Sequence, residues 1–159
     1  KDIIPLQKEL EHAVSYLSIQ NVRFQDKFTF TVDWDEKLAD CLCPKLVIQP
    51  LLENAVYHGM EGMYEDGEIQ LKIYAVNELV HIDVIDNGEG MTEAQVQKMM
   101  QGDVVSSKRG SGIGVKNVND RIKLYFGEAY GVQIISAPDE GTTARIYFPM
   151  RRQEDETEK

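Results

Sequence analysis

Apolar residues near the start of the chain recur at helical spacing. Behind Pro5, the residues Leu6, Leu10, Ala13, Val14 and Leu17 fall on one stripe, continued by Asn21 and Phe24, while Lys8, Glu9, Glu11 and Gln20 lie largely off it. That pattern predicts an amphipathic helix over residues 6–23, with His12 on it as an ordinary surface residue. The period then changes to two. Phe28, Phe30 and Val32 alternate with Thr29, Thr31 and Asp33, which predicts a half-buried strand over 27–33. Residues 34–43 read as a connection. Pro44 suits the first turn of a helix, and Pro50 should kink or restart that helix. Residues 49–59, Gln-Pro-Leu-Leu-Glu-Asn-Ala-Val-Tyr-His-Gly, read as an apolar helix ending at a glycine, and 60–67 as a polar loop.

Two alternating runs follow. Ile69, Leu71, Ile73 and Ala75 share one face, as do Val80, Ile82 and Val84, and the tight connection Asn77-Glu78 makes the two runs an antiparallel hairpin. His81 falls on the polar face and reads as solvated. Thr92 is a good N-cap for a helix over 93–100, with Glu93 and Gln95 in its first turn. Residues 101–110 carry few apolar anchors and read as mobile. A helix over 115–126 buries Val118, Ile122 and Tyr125 and stops at Gly127. Strands over 132–137 and 143–148 close the pattern, and 151–159 reads as a disordered charged tail. Antiparallel meanders with helices between them do not match βαβ alternation. The predicted fold is α+β: a two-layer α/β sandwich whose mixed, mostly antiparallel sheet is covered on one face by helices.

Composition narrows the partners. The chain has 159 residues, 42% hydrophobic, and a net charge of −10 from 17 basic and 27 acidic side chains. A surface that acidic disfavours nucleic-acid backbones. An anionic ligand would have to be held by backbone N–H groups or a metal. Cys41 and Cys43 are the only cysteines, too few for a zinc site, and read as reduced thiols in a cytosolic setting. No run approaches a membrane span and no signal peptide is visible. The chain opens at Lys1 in mid-pattern, so it reads as a piece of a longer protein.

Three stretches carry candidate chemistry, and each has an ordinary reading beside it. Asn54 is an amide among Leu51, Leu52, Ala55 and Val56. It is either satisfied locally or offers a hard, neutral oxygen of the kind Mg²⁺ takes alongside water and phosphates. Asp86-Asn87-Gly88-Glu89-Gly90 is either a turn after a strand or a carboxylate facing a pocket. In the second case Asp86 can accept from an exocyclic amine, with Gly88 and Gly90 letting the backbone approach a base. Gly110-Ser-Gly112-Ile-Gly114 is either a hinge or a set of N–H donors at a helix start, which favours phosphate. It does not follow a buried strand as a dinucleotide motif does. Thr142, after Gly141, either serves strand propensity or adds a hydroxyl near the base.

In order and spacing these pieces resemble the GHKL, or Bergerat-fold, ATPases and kinases. Leu51-Leu52-Glu53-Asn54-Ala55 is similar to their N box, Asp86-x-Gly88-x-Gly90 to the G1 box, Gly110-x-Gly112-x-Gly114 to the G2 box, and Gly141-Thr142 to the later Gly-Thr element. The segment 48–59 and the run 112–122, closed by Tyr125-Phe126-Gly127, resemble the signatures of sensor histidine kinases of the LytS/YehU type. Residues 6–24 resemble the helix before their ATP-binding domain. The resemblance spans 6–149. It implies ATP and Mg²⁺ as cofactors.

The resemblance also implies a role for each matching residue. Asn54 would coordinate Mg²⁺ on the ATP phosphates, and Asp86 would bond the adenine amino group, with Gly88 and Gly90 shaping the pocket. Gly110, Gly112 and Gly114 would serve the lid hinge and the phosphates, Thr142 would support adenine through water, and 91–109 would form the lid. His58, one helical turn beyond Asn54, would approach the phosphates. Glu53 would polarise an incoming histidine.

Two departures bear on chemistry. Hydrolysing relatives place a general-base glutamate where Pro50 stands, which favours transfer over hydrolysis. The family's phosphoacceptor segment, Asn-Pro-His-Phe, is not present, so the chain should bind ATP without phosphorylating itself at that site.

The implied organisation is 1–24 as the end of a helical dimerisation and phosphoacceptor region, 25–150 as the ATP-binding domain and 151–159 as a tail. The implied reaction is transfer of the γ-phosphoryl of Mg·ATP to a histidine on that dimerisation domain, then to a response-regulator aspartate. The implied full-length protein is a homodimeric, membrane-anchored bacterial sensor, with this part in the cytoplasm and touching neither membrane nor nucleic acid. Two other readings remain: a Bergerat-fold protein-serine kinase or anti-sigma factor, and a non-catalytic nucleotide-binding interaction module.

Overall fold

The computed structural model describes residues 2–24, 27–59, 66–102 and 112–152, with the side chains of 58, 59, 112 and 113 outside that description. A short strand, β1 (Ile3–Pro5), leads into helix α1 (Leu6–Arg23). Leu6, Leu10, Ala13 and Leu17 are buried as their spacing requires, and so are Glu9 and Gln20, which were expected off the stripe. Positions 6, 9, 10, 13, 17 and 20 form one helical face, and polarity concealed two of its members. His12 is exposed.

Strand β2 (Phe28–Trp34) is followed by a 3₁₀ turn at Glu36–Leu38 and strand β3 (Leu42–Pro44). Pro44 therefore ends a strand rather than starting a helix: it pairs with Ile3 in a small β1–β3 ribbon, an edge position where its missing N–H is tolerated. Helix α2 (Ile48–Asn54) begins later, with Pro50 in its first turn, where a lost N–H costs nothing.

The main sheet comes from β2, β4 (Gly67–Val76), β5 (Leu79–Asp86), β6 (Gly131–Ser136) and β7 (Thr142–Pro149), in the order β2-β4-β5-β7-β6. The β2–β4 pair is parallel and the others are antiparallel. Val76 faces Leu79, leaving Asn77-Glu78 as the hairpin turn, and Asn77 takes the left-handed conformation at φ 56°. Helix α3 (Glu93–Met100) starts at Thr92, whose side chain and that of Gln95 form a reciprocal capping box. Helix α4 (Gly112–Phe126) starts earlier than Val115.

One core fills the space between the sheet and α1, α2 and α4. Phe28, Ile69, Leu71, Ile73, Ile82, Ile146 and Phe148 meet Leu17, Leu51, Leu52, Val118 and Ile122 there. Phe126 stacks on Phe148 at 5.0 Å, whereas Tyr125, expected on the buried side, is 37% exposed. At the C-terminal end the chain is held to β3 rather than leaving at residue 151. The Leu42 N–H donates to the Arg151 carbonyl at 2.7 Å, and Arg152 pairs with Asp40. Residues 153–159 lie outside the described set. No helix among the described residues is long and apolar enough to cross a membrane.

The open face of the sheet holds a polar cluster. Asp83, 3% exposed, accepts from Arg145 Nε at 2.8 Å and Nη2 at 3.1 Å and from the Tyr74 hydroxyl at 2.7 Å. His81 is not free in solvent as expected. It is half-buried between the rings of Tyr74 and Tyr147, at 5.3 and 6.4 Å, and its Nδ1 is buried without a hydrogen-bond partner among the described residues. Burial, then the Arg145 charge, lowers its pKa.

Candidate nucleotide site

Asp86 ends β5 on the helix-covered side of the sheet and is 6% exposed. Its Oδ1 accepts the Gly88 N–H at 2.9 Å, and the Thr142 N–H donates to the same carboxylate from β7. These two bonds lower its pKa but do not offset burial, which pushes the carboxyl up to about 6 from 3.8. The Asp86-Asn87-Gly88 step is no hairpin turn. Asn87 instead ties back to the start of β4, its Oδ1 accepting the Glu68 N–H at 2.8 Å.

The glycines separate by role. Gly90 has φ +71°, and a Cβ there would stand 2.0 Å from the Ala137 carbonyl oxygen. Its need for glycine is thus met inside the protein. Gly114 makes only ordinary contact, its Cβ position lying 3.5 Å from Pro50 Cβ, which sets the start of α4 against the first turn of α2. Gly112 is the first residue of α4. Residues 103–111, which include Gly110 and part of the lid expected over 91–109, lie outside the described residues.

Thr142 is buried, and its Oγ1 lies 2.8 Å from Ser136 Oγ. Ser136 was not anticipated. Its Oγ also donates to the Gly141 carbonyl at 2.9 Å and accepts the Met91 N–H at 2.9 Å, so one hydroxyl joins the ends of β6 and β7 to the segment that leads into α3. The inward alternation Val132, Ile134, Ser136 is the signal that marks it. These strand ends border a cleft of about 270 Å³ shared by Asp86, Ser136, Gly141 and Thr142. A larger cavity, about 610 Å³, lies on the open sheet face beside Lys72, Tyr74, Asp83 and Arg145. Asp83 and Arg145 in its lining pair with each other, and Asn54 is not among its lining residues.

Asn54 is the last α-helical residue of α2, 4% exposed. Its Oδ1 is buried and has no hydrogen-bond partner among the described residues. An orphaned amide oxygen of this kind costs about 1–3 kcal/mol, so local satisfaction, the ordinary reading of this residue, does not account for it. Beyond it, Ala55–Gly59 is π-helical, a rare form that is frequent at functional sites. His58 lies in that segment, with its side chain outside the described residues. Glu53 accepts from Gln49 Nε2 at 3.2 Å and lies beside Tyr16 of α1, whose pKa is raised by burial and then by the Glu53 charge. Helix α2 packs on both β5 and α4. The fold therefore sets α2, which carries Asn54, against β5, which ends in Asp86, and against α4, while Asp86 is bonded by Gly88 and Thr142.

Residues 40–152 match the family model for histidine kinase-, DNA gyrase B- and HSP90-like ATPases. The chain belongs to this family. The matched family makes it an ATP-binding domain, and its curated relatives are named as sensor histidine kinases and sensor proteins. It is 37% identical to the sensor histidine kinase YesM of Bacillus subtilis over 153 residues, 96% of this chain and 25% of that protein. It is 33% identical to the sensor protein LytS of Bacillus anthracis over 154 residues, 97% of this chain and 26% of that protein. The chain thus spans about a quarter of the length of these curated relatives. Solved structures share the fold at lower identity. The catalytic domain of histidine kinase ThkA superposes with a TM-score of 0.70 at 16% identity, covering 93% of this chain and 96% of that one. The mycobacterial sensor histidine kinase MprB gives 0.68 at 17% identity, covering 96% and 99%.

Proposed function

We propose that this domain binds Mg·ATP between α2, the end of β5 and α4, and supplies the γ-phosphoryl group to a histidine of a dimerisation domain elsewhere in its parent protein. The observation that carries the reading is the buried Oδ1 of Asn54, without a hydrogen-bond partner among the described residues, on the helix that packs against both the Asp86 strand and α4. A neutral oxygen left free of such a bond suits a hard cation that keeps water and takes its remaining ligands from phosphate. Bound there, Mg²⁺ would neutralise charge on the phosphate oxygens.

The chain's own residues do the rest by positioning, which is most of what loose phosphoryl transfer requires. Asp86 accepts from the adenine amino group, and Gly88 and Gly90 fix the backbone around it. Thr142, held by Ser136, supports the base through water. Gly110, Gly112 and Gly114 hinge the lid and direct N–H groups from the start of α4 toward the phosphates. His58 reaches the phosphates from the π-turn, and Glu53 polarises the incoming imidazole. Pro50 stands where a water-activating glutamate would be needed, so transfer is favoured over hydrolysis.

In this reading residues 1–24 continue the helical phosphoacceptor region and 25–152 form the catalytic domain, its end held to β3 by Arg151 and to Asp40 by Arg152. The parent is a membrane-anchored, homodimeric sensor that passes phosphate on to a response-regulator aspartate. That histidine kinase ThkA has been solved with the response regulator TrrA supports such a partner. The test is to incubate the full-length parent with γ-labelled Mg·ATP. Acid-labile, alkali-stable label on histidine, lost with Asn54→Ala, is expected. Acid-stable label on serine, or none, contradicts the reading.

A further inference from the structure

Helix α2 carries Asn54 but does not cap itself, since Val47 at its N-cap position makes no side-chain bond. The cap comes from α1. Glu9 Oε1 accepts the Leu46 N–H at 3.0 Å, and its Oε2 accepts the Val47 and Ile48 N–H groups at 2.9 and 2.9 Å. Glu9 is 2% exposed. The first of these donors is strained: Leu46 holds φ 60°, a left-handed conformation that leucine disfavours. Its carbonyl in turn accepts from Arg121 Nη1 of α4 at 3.3 Å. The start of α2 is thus held in a costly conformation from α1 on one side and α4 on the other.

The two helices stay in register beyond that point. Glu9 meets residues 46–48, Tyr16 feels the Glu53 charge, and Arg23 Nη1 donates to the Tyr57 hydroxyl at 3.0 Å. From Ile48 to Asn54 the rise is only ~9 Å, so a shift at the capped end is carried to the amide.

We propose that Glu9 is a positioning residue for the nucleotide site: it fixes the start of α2, and through that start the place of the Asn54 oxygen. The proposal rests on the reading that Asn54 ligates the metal of Mg·ATP. A carboxylate is the group required, because its two oxygens accept three N–H donors at once. An amide would turn a donor toward one of them. Glu9 lies outside residues 40–152, which the family model matches, so α1 is part of the site's machinery.

The test is calorimetric titration of the 159-residue chain with a non-hydrolysable ATP analogue, in Mg²⁺ and in EDTA. It compares wild type, Glu9→Gln, Glu9→Asp and Glu9→Gln combined with Leu46→Gly, each first shown to be folded. Glu9→Gln is expected to keep its affinity in EDTA within ~2-fold and to lose ~10-fold or more of the gain that Mg²⁺ brings. Glu9→Asp, one methylene shorter, should show the same selective loss, and it serves if Glu9→Gln does not fold. Leu46→Gly relieves the strain the clamp opposes and should restore most of the gain. Equal losses with and without Mg²⁺, or a gain that survives Glu9→Gln, overturns the proposal alone. A wild-type chain with no Mg²⁺-dependent gain overturns the parent reading and this one with it.

Discussion

Gly141 and Asp86 cross back to back: a Cβ on residue 141 would stand 2.2 Å from the Asp86 carbonyl oxygen, and Gly141 holds φ +75°. The crossing fixes where β5 delivers its carboxylate. Gly141→Ala adds both a left-handed penalty and a backbone clash. It is expected to lower the unfolding free energy by roughly 2–4 kcal/mol and to weaken adenine-nucleotide binding. Denaturant titration of the variant beside wild type measures the first, and an unchanged midpoint would refute it.

Asp86 is held at a cost to the nucleotide-free chain. Its carboxyl titrates near 6 in the folded chain against 3.8 ordinarily, with burial as the main cause. Between those values the native state binds the proton more readily than the unfolded one. The charged carboxylate therefore destabilises the fold above about pH 6, by about 3 kcal/mol at most, and that penalty fades as pH falls toward 4. Asp86→Asn should raise stability by about 1–3 kcal/mol near pH 8 and have little effect near pH 4. The same variant should bind adenine nucleotides ~10-fold or more weakly. Denaturation curves at the two pH values decide the first part, and a destabilised variant at the higher pH would contradict it.

The cluster on the open sheet face is structural in this account. Arg145→Ala leaves Asp83, 5% exposed at its side chain, with Tyr74 as its remaining side-chain donor among the described residues. Arg145 is itself partly exposed, so a loss of about 2–3 kcal/mol is expected, below the range for a fully buried pair. Nucleotide affinity of the folded variant should stay within ~2-fold. A large affinity loss without loss of stability would move this face into the functional site.

Thr92→Ala removes half of a reciprocal cap, in which the Thr92 N–H donates to Gln95 Oε1 at 2.8 Å and Thr92 Oγ1 accepts the Gln95 N–H at 3.2 Å. The expected cost is ~1 kcal/mol, confined to α3. Hydrogen exchange should quicken in Glu93–Met100 and stay unchanged in β5. Uniform quickening across the chain would show that the helix is not a local unit.

What the chain shows in advance divides along physical lines. The α1 stripe, the Asn77-Glu78 hairpin and the Thr92 cap all depend on neighbours within a few positions, and period, turn chemistry and capping rules find them. The order of Asn54, Asp86 and the glycines was equally plain. Contacts between distant positions were not. Glu9 reads as surface polarity until Ile48, 39 positions on, is seen donating to it at 2.9 Å. Leu46 gives no sign of its left-handed conformation, because the clamp rather than the residue type imposes it. Pro44 was misplaced since proline suits a helix start and a strand edge alike. Alternation identified β2 as a strand, but nothing local said it would pair parallel to β4.

The central claim is that the Asn54 oxygen and the Asp86 carboxylate are two ends of one Mg·ATP site. Calorimetric titration with a non-hydrolysable ATP analogue, with and without Mg²⁺, tests it most directly in wild type, Asn54→Ala and Asp86→Asn. The account predicts that Asn54→Ala abolishes the Mg²⁺-dependent gain and spares Mg²⁺-free binding, while Asp86→Asn weakens binding in both conditions. A folded wild-type chain that binds no nucleotide, or an Asn54→Ala variant that keeps its full Mg²⁺ dependence, would contradict it.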